Sequence, residues 1–137
     1  MTTNSIMPMA GLHHVTAIAS DPQRNLDFYV KVLGQRLVKQ TVNFDAPQVY
    51  HFYFADAAGS PGTVLTFFPW ANARKGVRGA GETVAVAYAA PNGSLDWWRD
   101  WLKSHDIAFE AGSRFGEELL AFDDPDGMRV EIVESSD

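Results

Sequence analysis

Two adjacent histidines, His13 and His14, sit in the short apolar run Gly11-Leu12-His13-His14-Val15-Thr16, just ahead of a helix start signal. Strand side chains alternate between faces, so His14 and Thr16 share one face with Leu12 and Ile18, while His13 shares the other with Val15. On that reading the two imidazoles serve separate purposes. An imidazole is either a nitrogen ligand for a metal or a hydrogen-bonded structural group, and His14 is the one credible ligand of this run. The 137-residue chain holds no cysteine, which removes disulfides, thiolate chemistry and cysteine-bound zinc and leaves His, Asp and Glu as the strong ligands.

The elements that must position these groups follow in order. Ser20-Asp21-Pro22 places capping side chains before a proline at the first helical position. Leu26, Tyr29, Val30 and Leu33 then recur on one face, with Gly34 suited to a left-handed cap, so the spacing predicts a helix of about three turns. Strands are expected from Gln35 to Phe44, from Val49 to Asp56 and, after the loop Gly59-Ser60-Pro61-Gly62, from Thr63 to Trp70. Residues 71–81 lack apolar periodicity and read as a connector. The order then repeats, with a strand at Thr83–Ala90 and a helix at Leu95–His105 whose Leu95, Trp98 and Leu102 share a face. Three strands close the chain at Ile107–Phe115, Glu117–Asp123 and Met128–Glu134, the last two joined by the turn Asp124-Pro125-Asp126-Gly127.

The two halves superimpose through their helices, because Asn25-Leu26-Asp27-Phe28-Tyr29 reads like Ser94-Leu95-Asp96-Trp97-Trp98 at an offset of 69. The expected fold is therefore α+β: two tandem βαβββ modules forming a curved mixed sheet, a single domain over residues 1–137 with repeats at 11–70 and 82–134. The helix offset sets His14 against Thr83, and the turn glycines Gly62 and Gly127, at an offset of 65, set Thr66 against Glu131. Of the four equivalent positions, His14 and Glu131 bind metal strongly and Thr66 and Thr83 do not. Each curved half also has an edge and an apolar face to cover, so a paired assembly of modules is expected.

Composition narrows the partners. A net charge of −6, with no basic stripe beyond the loop Arg74 to Arg78, disfavours nucleic acid. With 46% hydrophobic and 20% charged residues the chain fits neither the disordered nor the transmembrane class, and a soluble globular protein without membrane partners is expected. Met1 to Ala10 carries no basic residue and no apolar core of signal-peptide length, so the expected location is cytoplasmic.

Paired strand-helix-three-strand modules resemble the vicinal oxygen chelate superfamily of glyoxalases, bleomycin-type resistance proteins and extradiol dioxygenases. More narrowly, Leu12-His13-His14-Val15-Thr16, Asp27-Phe28-Tyr29, Val32 to Arg36, Tyr50 to Asp56, Gly59 to Thr63 and Gly93 to Trp98 resemble the N-terminal half of hydroquinone ring-cleaving dioxygenases. The resemblance implies two histidines and one carboxylate holding Fe(II) or Mn(II), with open positions for O2 and a dihydroxy aromatic. It implies a ligand role for His14, and substrate-pocket roles for His13 and Thr16. It further implies that the remaining ligands come from a C-terminal half that these 137 residues lack. That half would be a second copy of the chain or a separate chain.

The other candidates have plainer readings. Glu131 is a metal ligand or the partner of Arg129 in a surface ion pair. His51, with Tyr53 on its face, reads as a core or pocket-wall histidine, and His105 as a helix-end histidine favoured by the helix dipole. Trp97, Trp98 and Trp101 report packing, and Asp124-Pro125-Asp126-Gly127 is a turn without calcium-loop spacing. The expected function is a ring-cleaving, non-haem metal dioxygenase module acting on hydroquinone- or catechol-type aromatics. The alternatives are a metal-free module holding a small aromatic ligand and, more distantly, a glyoxalase-like lyase.

Overall fold

The computed structural model describes residues 7–135; residues 1–6 and 136–137, which the expected domain limits include, lie outside the described residues. The first module runs β1 (His14–Ala19), α1 (Pro22–Asp27) continued by a π-helical turn (Phe28–Val32), β2 (Arg36–Val42), β3 (Tyr50–Ala55) and β4 (Val64–Pro69). The second runs β5 (Ala85–Pro91), α2 (Leu95–Ser104), β6 (Glu110–Arg114), β7 (Glu117–Asp123) and β8 (Arg129–Ser135). Each module builds its own four-stranded mixed sheet, in the orders β1-β4-β3-β2 and β5-β8-β7-β6, with the first pair of each parallel and the others antiparallel. The α+β class and the tandem βαβββ order therefore stand, and residues 71–81 between the modules carry no strand or helix.

Local sequence explains the helices. The Asp21 side chain accepts the Arg24 N–H and Pro22 opens α1, so one free donor of the first turn is satisfied. At Phe28 the helix widens, with Leu33 N–H donating to the Phe28 carbonyl five residues back, and Gly34 ends it at φ 69. In α2, the ring nitrogen of His105 lies 2.9 Å from the Trp101 carbonyl at the helix end, as its position in the sequence suggests. The wide turn shifts β2 to begin at Arg36, and β1 begins three residues later than the apolar run does.

Between the sheets and helices lies one core. Tyr29 and the rings of Phe54 and Phe67 are fully buried, with centroids 5.2 and 4.8 Å from the tyrosine ring, while Leu95, Leu102, Leu120 and Ile132 fill the second module's share. Polar bonds then fix the modules to one another. Tyr29 Oη donates to Asp124 Oδ2 at 2.8 Å, Arg24 donates to the Pro125 carbonyl at 2.9 Å, Ser20 donates to Asp126, and Trp101 Nε1 donates to the Val32 carbonyl at 2.8 Å. Most of these meet at the β7–β8 turn, where Asp124 Oδ1 also accepts the Asp126 and Met128 N–H groups.

Burial raises the pKa of Asp124, and the bonds from Met128, Tyr29 and Asp126 only partly oppose it. The folded state therefore holds this proton more tightly than the unfolded chain. Stability is expected to fall as pH rises from the ordinary value of 3.8 through the raised one, and Asp124→Asn should flatten that limb in urea midpoints taken between about pH 4 and 7. Tyr29→Phe, which leaves a buried carboxylate short of a donor, should cost about 1–3 kcal/mol in the same measurement.

Candidate metal and substrate site

The alternation of β1 turns Val15, Ala17 and Ala19 toward the core and leaves His14, Thr16 and Ile18 on the exposed face. Strand register then brings polar groups from β4 and β3 beside them, with Thr66 opposite both Thr16 and Tyr53. A hydrogen-bonded chain results: Tyr53 Oη to His51 Nδ1 at 3.1 Å, His51 Nε2 to Thr66 Oγ1 at 3.1 Å, and Thr66 Oγ1 to Thr16 Oγ1 at 2.7 Å. The His51 ring also stacks on Phe68 with centroids 4.0 Å apart. His51 is thus hydrogen-bonded through both ring nitrogens, as its sequence setting suggests. Burial first, then the nearby His14 and Lys39 charges, lower its pKa, so it is neutral at pH 7 and bonds through both nitrogens.

One sequence expectation fails at the histidine pair. Because β1 starts at His14, His13 belongs to the lead-in and is not bound by strand alternation. Its ring folds back, and the two Nδ1 atoms lie 3.1 Å apart with the rings edge to face. One of the two nitrogens must therefore carry a proton and the other accept it. Both imidazoles line an open cleft of about 700 Å³ between the modules, walled on the far side by Thr83, Ala85 and Ala87.

Glu131 has a different setting. It lies at the centre of the second sheet, flanked by Ala87 and Ala121, and is 1% exposed. Its Oε1 accepts from Arg114 Nη2 at 2.8 Å and Arg129 Nε at 3.0 Å, and it does not line the cleft that holds His14. The partner Arg129 was legible from sequence, but the expected surface pair is instead made by a buried carboxylate. Arg114 was not legible: it comes from β6, across β7, where it pairs with Glu117 and not with the Ala121 that flanks Glu131, so only its long side chain makes the contact.

The registers also correct the module alignment. His14 pairs with Val64, whose counterpart at the turn-glycine offset of 65 is Arg129, and Arg129 pairs with Ala85. Ala85 thus stands in the place of His14, two residues beyond Thr83, because the second module is two residues shorter between its first strand and its helix motif. Neither residue offers a strong metal ligand. Among the described residues no three His, Asp or Glu side chains converge, so the donor set of this chain does not by itself fit the Fe(II) or Mn(II) triad.

The sequence profile of the Glyoxalase/Bleomycin resistance protein/Dioxygenase superfamily matches residues 11–132. The chain is 52% identical over 124 residues to MhqO of Bacillus subtilis (strain 168), named a ring-cleaving dioxygenase, with 90% of this chain and 40% of that protein covered. It is 46% identical over 128 residues to the chlorohydroquinone/hydroquinone 1,2-dioxygenase of Sphingobium indicum, covering 90% and 40%. A crystal structure from Bacillus subtilis, described as a dioxygenase, superimposes with a TM-score of 0.88 at 51% identity, over 91% of this chain and 40% of that one. A glyoxylase/bleomycin resistance protein/dioxygenase domain from Frankia sp. EAN1pec shares the fold at 14% identity, with a TM-score of 0.75 and 95% of both chains covered. This chain therefore spans about 40% of the length of the named relatives it matches at high identity.

The placement of His14 beside His51 is directly measurable. In metal-free protein, NMR titration of His51 is expected to give a value below the ordinary 6.5, and His14→Ala should raise it part of the way back because the burial contribution remains.

Proposed function

The chain belongs to the Glyoxalase/Bleomycin resistance protein/Dioxygenase superfamily, and from that membership we propose that it is one module of a ring-cleaving, non-haem metal dioxygenase acting on hydroquinone- or catechol-type aromatics. The observation that carries the reading is the exposed face of the first sheet. There His14 stands at the cleft mouth with His13 against it, and Thr16 is held by a hydrogen-bonded chain of three further side chains. Identities of 46–52% with proteins named as such dioxygenases support the same reading.

The residue roles follow chemistry. In this reading His14 contributes one imidazole to an Fe(II) or Mn(II) centre, while His13 and Thr16 meet the substrate hydroxyls. A partner module, from a second copy or a separate C-terminal-half chain, brings further ligands. Glu131 is the carboxylate of the set only if both guanidiniums release it, and its paired state is the observation that favours a second reading, a metal-free module that holds an aromatic ligand in the cleft.

The two readings separate on one variant. Under the dioxygenase reading the protein takes up Fe(II) or Mn(II), consumes oxygen with substituted hydroquinones, and loses metal uptake in His14→Ala by at least tenfold. Under the binding reading His14→Ala leaves aromatic affinity nearly unchanged and no metal is retained. A protein that stays metal-free and inert after Fe(II) loading, and strictly monomeric by light scattering, overturns the dioxygenase module.

A further inference from the structure

Where the modules meet, beside the cleft that His14 lines, lies a second and smaller concavity of about 140 Å³ that neither His14 nor Glu131 lines. Leu33, Ala90, Pro91, Trp98 and Ile132 give it apolar walls, and no charged side chain lines it. Its remaining wall residues are unusual. Gln35 and Tyr88 both line it, and both carry a buried polar atom, Gln35 Oε1 and Tyr88 Oη, without a hydrogen-bond partner among the described residues. Gln35 and Tyr88 also line the larger cleft, as does Ala89, so the two spaces adjoin. The widened turn at Phe28–Val32 delivers Leu33 and Gln35 to this wall, and such π-helical turns concentrate at functional sites.

Chemistry selects the occupant. Burial raises the pKa of Tyr88, which keeps its proton across the physiological range and acts as a donor. Gln35 Oε1 only accepts. One group answers both demands, a hydroxyl, which takes the tyrosine proton on its oxygen and gives its own to the amide. The apolar walls then call for an uncharged body, and an apolar cavity of about 150 Å³ is known to admit benzene. We propose that Gln35 and Tyr88 form a binding site for a small neutral phenol, distinct from the His14 face, with the hydroxyl between the two side chains and the ring against Leu33, Trp98 and Ile132. The site needs no metal and does not depend on the dioxygenase reading.

The test uses the metal-free chain with phenol and toluene as probes, titrated by heteronuclear NMR. Phenol is expected to bind about tenfold more tightly than toluene, the fold-change of one good hydrogen-bonded hydroxyl, with shifts centred on Ala90, Trp98 and Ile132. Tyr88→Phe should bring the ratio close to one without loss of toluene binding. Gln35→Met, on a half-buried wall, gives the same reading should the tyrosine variant fold poorly. In His14→Ala protein the phenol affinity should be unchanged, which separates this site from the substrate face. Equal affinities for the two probes, shifts centred on His14 and Thr16, or no binding of either probe by a folded chain would each overturn the proposal, the last meaning that the groove holds only water.

Discussion

The hydroxyl of Tyr29, donated to the Asp124 carboxylate inside the core, is the contact on which the arrangement of this protein rests. Tyr29 packs with Phe54 and Phe67 of the first module, while Asp124 organises the β7–β8 turn of the second through two backbone N–H groups. Parting the turn from the first module would leave the Tyr29 hydroxyl, buried against Phe54 and Phe67, without its acceptor, and a buried polar group that loses its partner is costly. Ser20 and Arg24 reinforce the same turn from the rim. Together these bonds tie the helical end of the first module to the β7–β8 turn of the second.

Given that joint, the two sheets present equivalent faces with different chemistry. In the first, Thr66 lies buried at the centre and is satisfied by neutral partners, Thr16 and His51. In the second, the equivalent position holds Glu131, and a buried carboxylate on a strand requires cationic partners, which Arg114 and Arg129 supply. The duplication has thus kept the backbone and let the central pair diverge. One face offers neutral donors and acceptors beside two imidazoles; the other is closed by an ion pair.

Much of this was legible in the sequence. Periodicity gave the order of all the strands and both helices, the pentapeptide repeat gave the duplication, and the settings of His51 and His105 foretold their hydrogen bonds. What failed to show depends on geometry that composition does not encode. The start of β1 at His14, which frees His13 to reach its neighbour, turns on where the parallel ladder to β4 begins. Phe115 sits at φ 51 before Gly116 at φ 80, both in the left-handed region, so a hairpin turn closes where a continuing strand end was expected. The place of Ala85 opposite Arg129 follows from a two-residue difference in loop length that a helix-anchored alignment cannot see. Arg114 reaches Glu131 only through the pairing of three strands.

The ion pair of Glu131 carries a consequence for how the chain matures. A carboxylate sunk in a sheet attracts a positive charge from somewhere, and where the polypeptide leaves it bare, divalent cations in the surroundings become part of the folded state. Here two guanidiniums are that charge, one from the strand of Glu131 itself and one from β6, two strands away. The second sheet carries the counter-ion of Glu131 in its own covalent structure, and needs no cation from outside to balance that buried charge.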